Sequence, residues 1–153
     1  MSPRNIMPWG RCGQDNYPHM KTCVIAIDCW DNMTQDQIRA IGRLRADLRL
    51  SQHHDREAHA LMPAWPTYTR QALVEWIVAN RPCRLLYVGQ HWGDCLHHRR
   101  TGILAMTRLR PWVQIQVRPS LCRVLEGDRD RGLRAEDLGP GWHRVHRDLY
   151  QLT

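Results

Sequence analysis

Two continuous apolar runs, each followed by a polar turn, most constrain the fold of this chain. The first covers residues 22–28 and ends at Asp28, and the second covers residues 84–89 and ends at Gly89. Apolar runs of this length without polar alternation are typical of strands buried on both faces, as in the parallel sheets of α/β proteins. Ligands of such proteins bind outside the carboxyl ends of the strands, so the residues after both runs are the first candidates for a site.

Helical patterns between and after these runs complete the prediction. Thr34 is a suitable N-cap, and the apolar residues that follow at helical spacing are Ile38, Ile41, Leu44 and Leu48. A second helix is predicted from a cap at Thr67 to the stop at Pro82, and a third over about 93–108. The remaining predictions are a strand at 112–117, a surface loop at 126–134, a turn at 139–141 and a final strand within 142–152.

The order of these elements predicts an α/β fold. We expect three layers, a mostly parallel sheet with helices on both of its faces. Residues 1–20 are polar and rich in proline and glycine, and they are predicted to form an N-terminal arm. Residues 21–153 are long enough for one buried core and are predicted to form a single domain.

Composition narrows the classes of function. The formal net charge is +7, Lys21 is the only lysine among 22 basic residues, and seven tryptophans accompany no phenylalanine. Tryptophan and arginine together favour protein partners or self-assembly, while the basic charge also allows contact with an acidic surface or a nucleic acid. No apolar run is long enough for a membrane span, and residues 1–10 have no apolar core of signal-peptide type. We therefore expect a protein of the cytoplasm or of an assembled particle, without membrane contact.

The residues after the two runs suggest nucleophilic chemistry. Cys95 begins the third predicted helix, where the helix N-terminus would favour a thiolate, and Asp28 would act beside it as a base. Four nearby residues are candidates for binding: Trp30, His91, Trp92 and Arg99. In a structural alternative, Asp28 pairs with Arg99 or Arg100 instead.

Cofactors and metals are not predicted. The six cysteines form no C-x-x-C pair, which argues against a zinc ribbon. The spacing of His91, Cys95 and His98 on one helical face leaves a metal site open as a minor alternative.

Three segments together resemble the isochorismatase-like cysteine hydrolases, a superfamily that includes nicotinamidases and N-carbamoyl amidohydrolases. They are Asp28-Cys29-Trp30-Asp31 after the first run, Leu86-Tyr87-Val88-Gly89 with Cys95 six residues later, and Arg99, Gly102-Ile103 and Met106 beyond it. The match covers residues 22–33 and 67–118. The resemblance implies that Asp28 is the catalytic aspartate and that Cys95 is the nucleophile.

One element of the family's catalytic triad is missing. The family has a lysine between the aspartate and the cysteine, whereas this chain has none there, and an arginine differs from lysine in charge behaviour and shape. Asp28 and Cys95 are only 67 positions apart, which indicates a reduced fold in which the lysine-bearing segment is deleted.

Two functions follow from this pattern. The first is a catalytically degenerate domain that serves as a structural or interaction component of a larger assembly, such as a virion. The alternative is a minimal cysteine hydrolase of a small amide or carbamoyl substrate, with a substitute cation, or with His53 or His54 as a substitute base.

Overall fold

The computed structural model describes residues 21–29, 33–52, 65–109 and 113–153, and these residues form a mixed α/β fold. The strands are β1 (Thr22–Ile27), β2 (Leu48–Gln52), β3 (Arg84–Trp92), β4 (Gln114–Glu126), β5 (Arg129–Gly132), β6 (Trp142–His146) and β7 (Leu149–Leu152). The helices are α1 (Gln35–Gly42), α2 (Arg70–Asn80), α3 (Cys95–His98) and α4 (Ile103–Met106), with 3-10 turns at Thr107–Leu109 and Ala135–Asp137. The predicted arm at 1–20 lies outside the described residues.

The described strands form one seven-stranded sheet in the order β2-β1-β3-β4-β7-β6, with β5 paired to β4. The pairs β1–β2, β1–β3 and β3–β4 are parallel, whereas β4–β5, β4–β7 and β6–β7 are antiparallel. The prediction of a mostly parallel sheet is therefore right for the first half of the sheet and wrong for the second. Short turns join the late strands, and only antiparallel neighbours can be joined by so few residues.

Two predictions in the C-terminal third are wrong for the same reason. The segment 126–134, predicted as a surface loop, is the turn and second strand of the β4–β5 hairpin. The segment 142–152, predicted as one strand, folds into the β6–β7 hairpin. Both hairpins have many charged residues, so their sequences lack the apolar pattern that predicts a strand. A hairpin exposed to water can carry such residues as ion pairs, for example the one between Arg131 and Glu126.

The helices begin near the predicted caps but end earlier. Thr34 caps α1 in a reciprocal capping box with Gln37, as the spacing predicts. Helix α1 ends at Gly42, and Leu48 starts β2 instead of continuing the helical stripe. Helix α2 is capped by Thr69 rather than Thr67.

The third predicted helix is broken into α3 and α4. Arg99 adopts an extended conformation with φ −61° and ψ 158°, which ends α3 after one turn. Gly102 then packs so tightly that an added Cβ would lie 2.9 Å from the carbonyl oxygens of Leu96 and Arg99.

Alternate residues of β1 belong to two separate apolar clusters. Cys23, Ile25 and Ile27 pack in one cluster with residues of α2, α3 and α4. Val24 and Ala26 pack in the other with Ile38 and Ile41 of α1. Since successive side chains of a strand point to opposite faces, both faces of β1 are covered. Within the described ranges, no helix has the length and apolar character that a membrane span requires.

The backbones of β1 and β3 approach each other closely at Gly89. Gly89 is in register with Ile27, and its φ of +114° belongs to a region that other residues rarely adopt. A Cβ at Gly89 would lie 2.0 Å from the carbonyl oxygen of Ile27. Glycine is therefore required here for β3 to pair with β1 up to the carboxyl end of β1.

We expect Gly89→Ala to lower the free energy of unfolding by at least about 3 kcal/mol, because steric overlap with the backbone adds to the unfavourable φ. The control is Gly127→Ala, where φ is +61° but the added methyl group would meet open space. Its cost should be about 1 kcal/mol. Urea unfolding of both variants measures the difference, and equal costs would contradict the close approach.

Candidate functional site

The carboxyl ends of β1 and β3 bring Asp28 and Cys95 together. Asp28 follows β1 directly, has φ +50°, and donates its backbone N–H to the carbonyl oxygen of Gln52 at 2.8 Å. Strand β3 continues to Trp92, and after a two-residue turn Cys95 opens α3. The thiol lies close enough to the Asp28 carboxylate for that carboxylate to raise its pKa. The sequence-predicted pair thus meets at one edge of the sheet.

Arg99 completes this group, which we call the strand-tip site (Asp28, Cys95 and Arg99). Its Nη2 and Nε donate to Oδ2 of Asp28 at 2.9 and 3.2 Å. The Asp28 side chain is 1 % exposed and that of Arg99 is 31 % exposed. The hydrogen bonds that Arg99 donates to Asp28 raise the pKa of Arg99, so the guanidinium is a permanent positive charge beside the carboxylate. The pairing with Arg99, which the sequence left open, is therefore the one formed.

The thiol of Cys95 is protonated at neutral pH. Burial, as the largest cause, and the neighbouring Asp28 carboxylate together raise its pKa to about 11, although Arg99 acts in the opposite direction. At pH 7 a thiol with this pKa is ionised in about one molecule in ten thousand. The expectation that the start of α3 favours a thiolate is wrong, because α3 has one turn and the carboxylates of Asp28 and Asp94 oppose a second negative charge.

The second carboxylate oxygen of Asp28 is less well satisfied than the first. Oδ1 is buried and accepts no hydrogen bond from a described residue. A buried acceptor without a donor costs stability. The site therefore balances charge through Arg99 but leaves one oxygen of the carboxylate without a hydrogen-bond donor among the described residues.

His91 and Trp92 contact the C-terminal hairpins. Nε2 of His91 lies 3.2 Å from Oδ2 of Asp130, and the residue is 9 % exposed. The Trp92 ring is in edge contact with His97 and Trp142, with centroid distances of 4.3 and 5.2 Å. Both side chains are thus engaged in packing between β3 and the hairpins.

The metal alternative has no geometric support in the described residues. His91 belongs to β3 and does not share a helical face with Cys95 and His98. The peptide between Gln90 and His91 is cis. Among the residues the structure describes, no three His, Cys, Asp or Glu side chains are grouped so that they could hold a metal ion.

Sequence reasoning missed the buried polar residues whose hydrogen bonds connect the segment after α3 to β2 and β3 beside the strand-tip site. Thr101 donates through Oγ1 to Oε1 of Gln52, and its carbonyl oxygen accepts the hydroxyl of Tyr87 at 2.8 Å. Both Tyr87 and Thr101 are buried. The one signal in the sequence is that each carries a hydroxyl group within an otherwise apolar segment. A buried hydroxyl group needs a hydrogen-bond partner.

Some predicted site residues, namely Trp30, His53 and His54, lie outside the described residues. Comparison of the chain with protein-family models, with curated proteins and with solved structures gives no match. The strand-tip site is therefore interpreted from its own geometry and chemistry.

We expect Arg99→Gln to lower the free energy of unfolding by about 2–3 kcal/mol, because it leaves the buried Asp28 carboxylate without a countercharge. Asp28→Asn should cost less, since Arg99 can turn to water. The double variant should recover at least about 1 kcal/mol of the summed losses.

Arg100→Gln is the matched control, because Arg100 is exposed and forms no ion pair with a described residue. It should change the free energy of unfolding by less than about 0.5 kcal/mol. Strictly additive losses for Arg99→Gln and Asp28→Asn would show that the pair is not coupled.

Proposed function

We propose that this chain is a catalytically inactive relative of the isochorismatase-like cysteine hydrolases that serves as a binding or assembly component. The proposal is supported by an acid and a thiol at the carboxyl ends of the adjacent parallel strands β1 and β3. It is also supported by the two apolar clusters, which suit a reduced three-layer arrangement with α1 on one face and the later helices on the other.

The main observation in favour of an inactive site is the ion pair between Arg99 and Asp28 beside a protonated thiol. A general base must accept the proton of the nucleophile, and Oδ2 of Asp28 already accepts two hydrogen bonds from Arg99. Arginine does not exchange protons at neutral pH, so it does not replace an amine that delivers a proton to a leaving group. The residues are close together, but their protonation states oppose acyl transfer.

A second function is favoured by one feature of the same group. Arg99 places a cation beside both Asp28 and Cys95, and it lowers the pKa of the thiol. This is the arrangement that a minimal cysteine hydrolase of small amides or carbamoyl compounds would need, with Arg99 as the substitute cation. In that mechanism the Cys95 proton passes to Asp28, the sulfur attacks the carbonyl carbon, and ammonia leaves with that proton to give a thioester. Water then hydrolyses the thioester, which releases the acid and restores the thiol.

Alkylation of Cys95 by iodoacetamide across pH 6–12 separates the two functions. We expect slow labelling at pH 7 and a rate that rises to an inflection near the folded pKa of about 11. In Asp28→Asn the inflection should move to lower pH, because the carboxylate that raises the pKa is gone.

The raised pKa of Cys95 also affects stability. Between pH 9 and 11 the folded protein keeps the thiol proton that the unfolded chain has lost, so the contribution of this proton to the free energy of unfolding is lost as pH rises through that range.

Cys95→Ser provides the control for labelling at other cysteines, of which Cys23, Cys29 and Cys122 are buried. An inflection below pH 7, together with ammonia release from nicotinamide or N-carbamoylglycine that Cys95→Ser abolishes, would contradict the inactive reading. Slow labelling without ammonia release would contradict the hydrolase.

The assembly role makes a separate prediction. We propose protein partners, or further copies of the chain, within a particle such as a virion, because a net charge of +7 and seven tryptophans suit contact with acidic and apolar surfaces. We expect the chain in a native extract of its source to sediment at several times its own mass at about 0.15 M salt. Sedimentation as a free monomer would contradict this role, and Cys95→Ser should sediment like the wild type.

A further inference from the structure

A cavity of about 480 Å³ opens at the carboxyl end of β2, where the parallel half of the sheet ends. Its lining residues come from the end of β2, the start of α2 and the segment after α3: Gln52, Tyr68, Thr69, Arg70, Gln71 and Arg100. The volume lies within the range of sites for small molecules. The position also agrees with the rule that ligands of open α/β sheets bind beyond the carboxyl ends of the strands.

The described residues that line the cavity carry positive charge. They include Arg70 and Arg100, and none of them is a carboxylate. No hydrogen bond or ion pair joins the guanidinium group of either arginine to another described residue. Three other arginines of the described residues, Arg99, Arg123 and Arg131, are paired with aspartates. Two guanidinium groups on one cavity favour the binding of an anion.

The remaining lining groups suit a small ligand that carries an oxyanion. Tyr68 is half-buried against the apolar cluster and offers one aromatic wall. Oγ1 of Thr69 accepts the N–H of Ala72, which leaves the hydroxyl hydrogen to donate. Oε1 of Gln52 accepts the hydroxyl of Thr101, which leaves the amide NH₂ of Gln52 as a further donor. Guanidinium, hydroxyl and amide donors together match the oxygens of a phosphate or carboxylate group.

We propose that this cavity binds a small molecule with a phosphate or carboxylate group, held by Arg70 and Arg100. The site is distinct from the strand-tip site, although Gln52 links them: its backbone oxygen accepts the N–H of Asp28 while its side chain faces the cavity. Binding requires neither a reactive Cys95 nor an assembled particle. It therefore stands or fails independently of the proposed function.

Titration calorimetry of the full chain tests the proposal with inorganic phosphate and with succinate, in chloride buffer of matched ionic strength. We expect saturable binding of at least one probe. In Arg70→Gln/Arg100→Gln its affinity should fall at least about tenfold, the loss of one charge-assisted hydrogen bond or more. The control Arg39→Gln/Arg43→Gln removes the same charge from exposed positions of the first helical segment and should change affinity less than about twofold.

Each outcome decides the proposal. Binding of phosphate alone assigns a phosphate ester, binding of succinate alone assigns a carboxylate, and retention of binding in Cys95→Ser confirms that the two sites are independent. Absence of binding by both probes to folded wild-type chain overturns the proposal. Equal losses of probe affinity in the two double variants also overturn the proposal. So does binding of a single-stranded oligonucleotide that both double variants weaken to the same extent. Either result would describe a diffuse basic surface rather than a site.

Discussion

The structure depends on the close approach of β1 and β3 at Ile27 and Gly89. Without a side chain at Gly89, the two backbones pair up to the last residue of β1, and the chain turns away from the sheet directly after Ile27. Asp28 leaves β1 in a left-handed conformation, while β3 continues past Gly89 to the turn before α3. The acid and the thiol meet because their strands are adjacent and parallel, so their positions follow from backbone geometry rather than from mutual attraction.

The chemistry at that meeting point is set by Arg99. One turn of helix carries the chain from Cys95 to Arg99, and the guanidinium reaches back to Oδ2 of Asp28. A buried carboxylate needs a countercharge, and in this chain the nearest one is an arginine that keeps its proton. Arg99 also lowers the pKa of the Cys95 thiol, but burial and the Asp28 carboxylate outweigh this effect and keep the thiol protonated.

The second half of the sheet contacts the side chains at the carboxyl end of β3. Strand β3 extends to Trp92, and His91 reaches Asp130, which is also paired with Arg123 of β4. Trp92 packs between His97 and Trp142 of β6. These contacts join the strand-tip region to both C-terminal hairpins. The cationic cavity is formed on the other side, at the end of β2, where the described hairpins do not reach.

The sequence by itself determined the elements whose signals are local. The apolar runs identified β1 and β3 and placed Asp28 and Cys95 in the segments that follow them, and Thr34 identified the start of α1. These succeed because burial and capping act on neighbouring residues along the chain.

Only the tertiary structure decided the features that depend on distant partners. Strand β2 was hidden in a helical stripe, and both C-terminal hairpins were hidden in charged segments, since pairing across a sheet leaves little trace in local composition. The choice of Arg99 over Arg100 as the partner of Asp28 depends on where α3 ends, and the pKa of Cys95 depends on burial and on charges from two strand ends. Electrostatic energy depends on distance in space, and distance in space is a property of the folded chain alone.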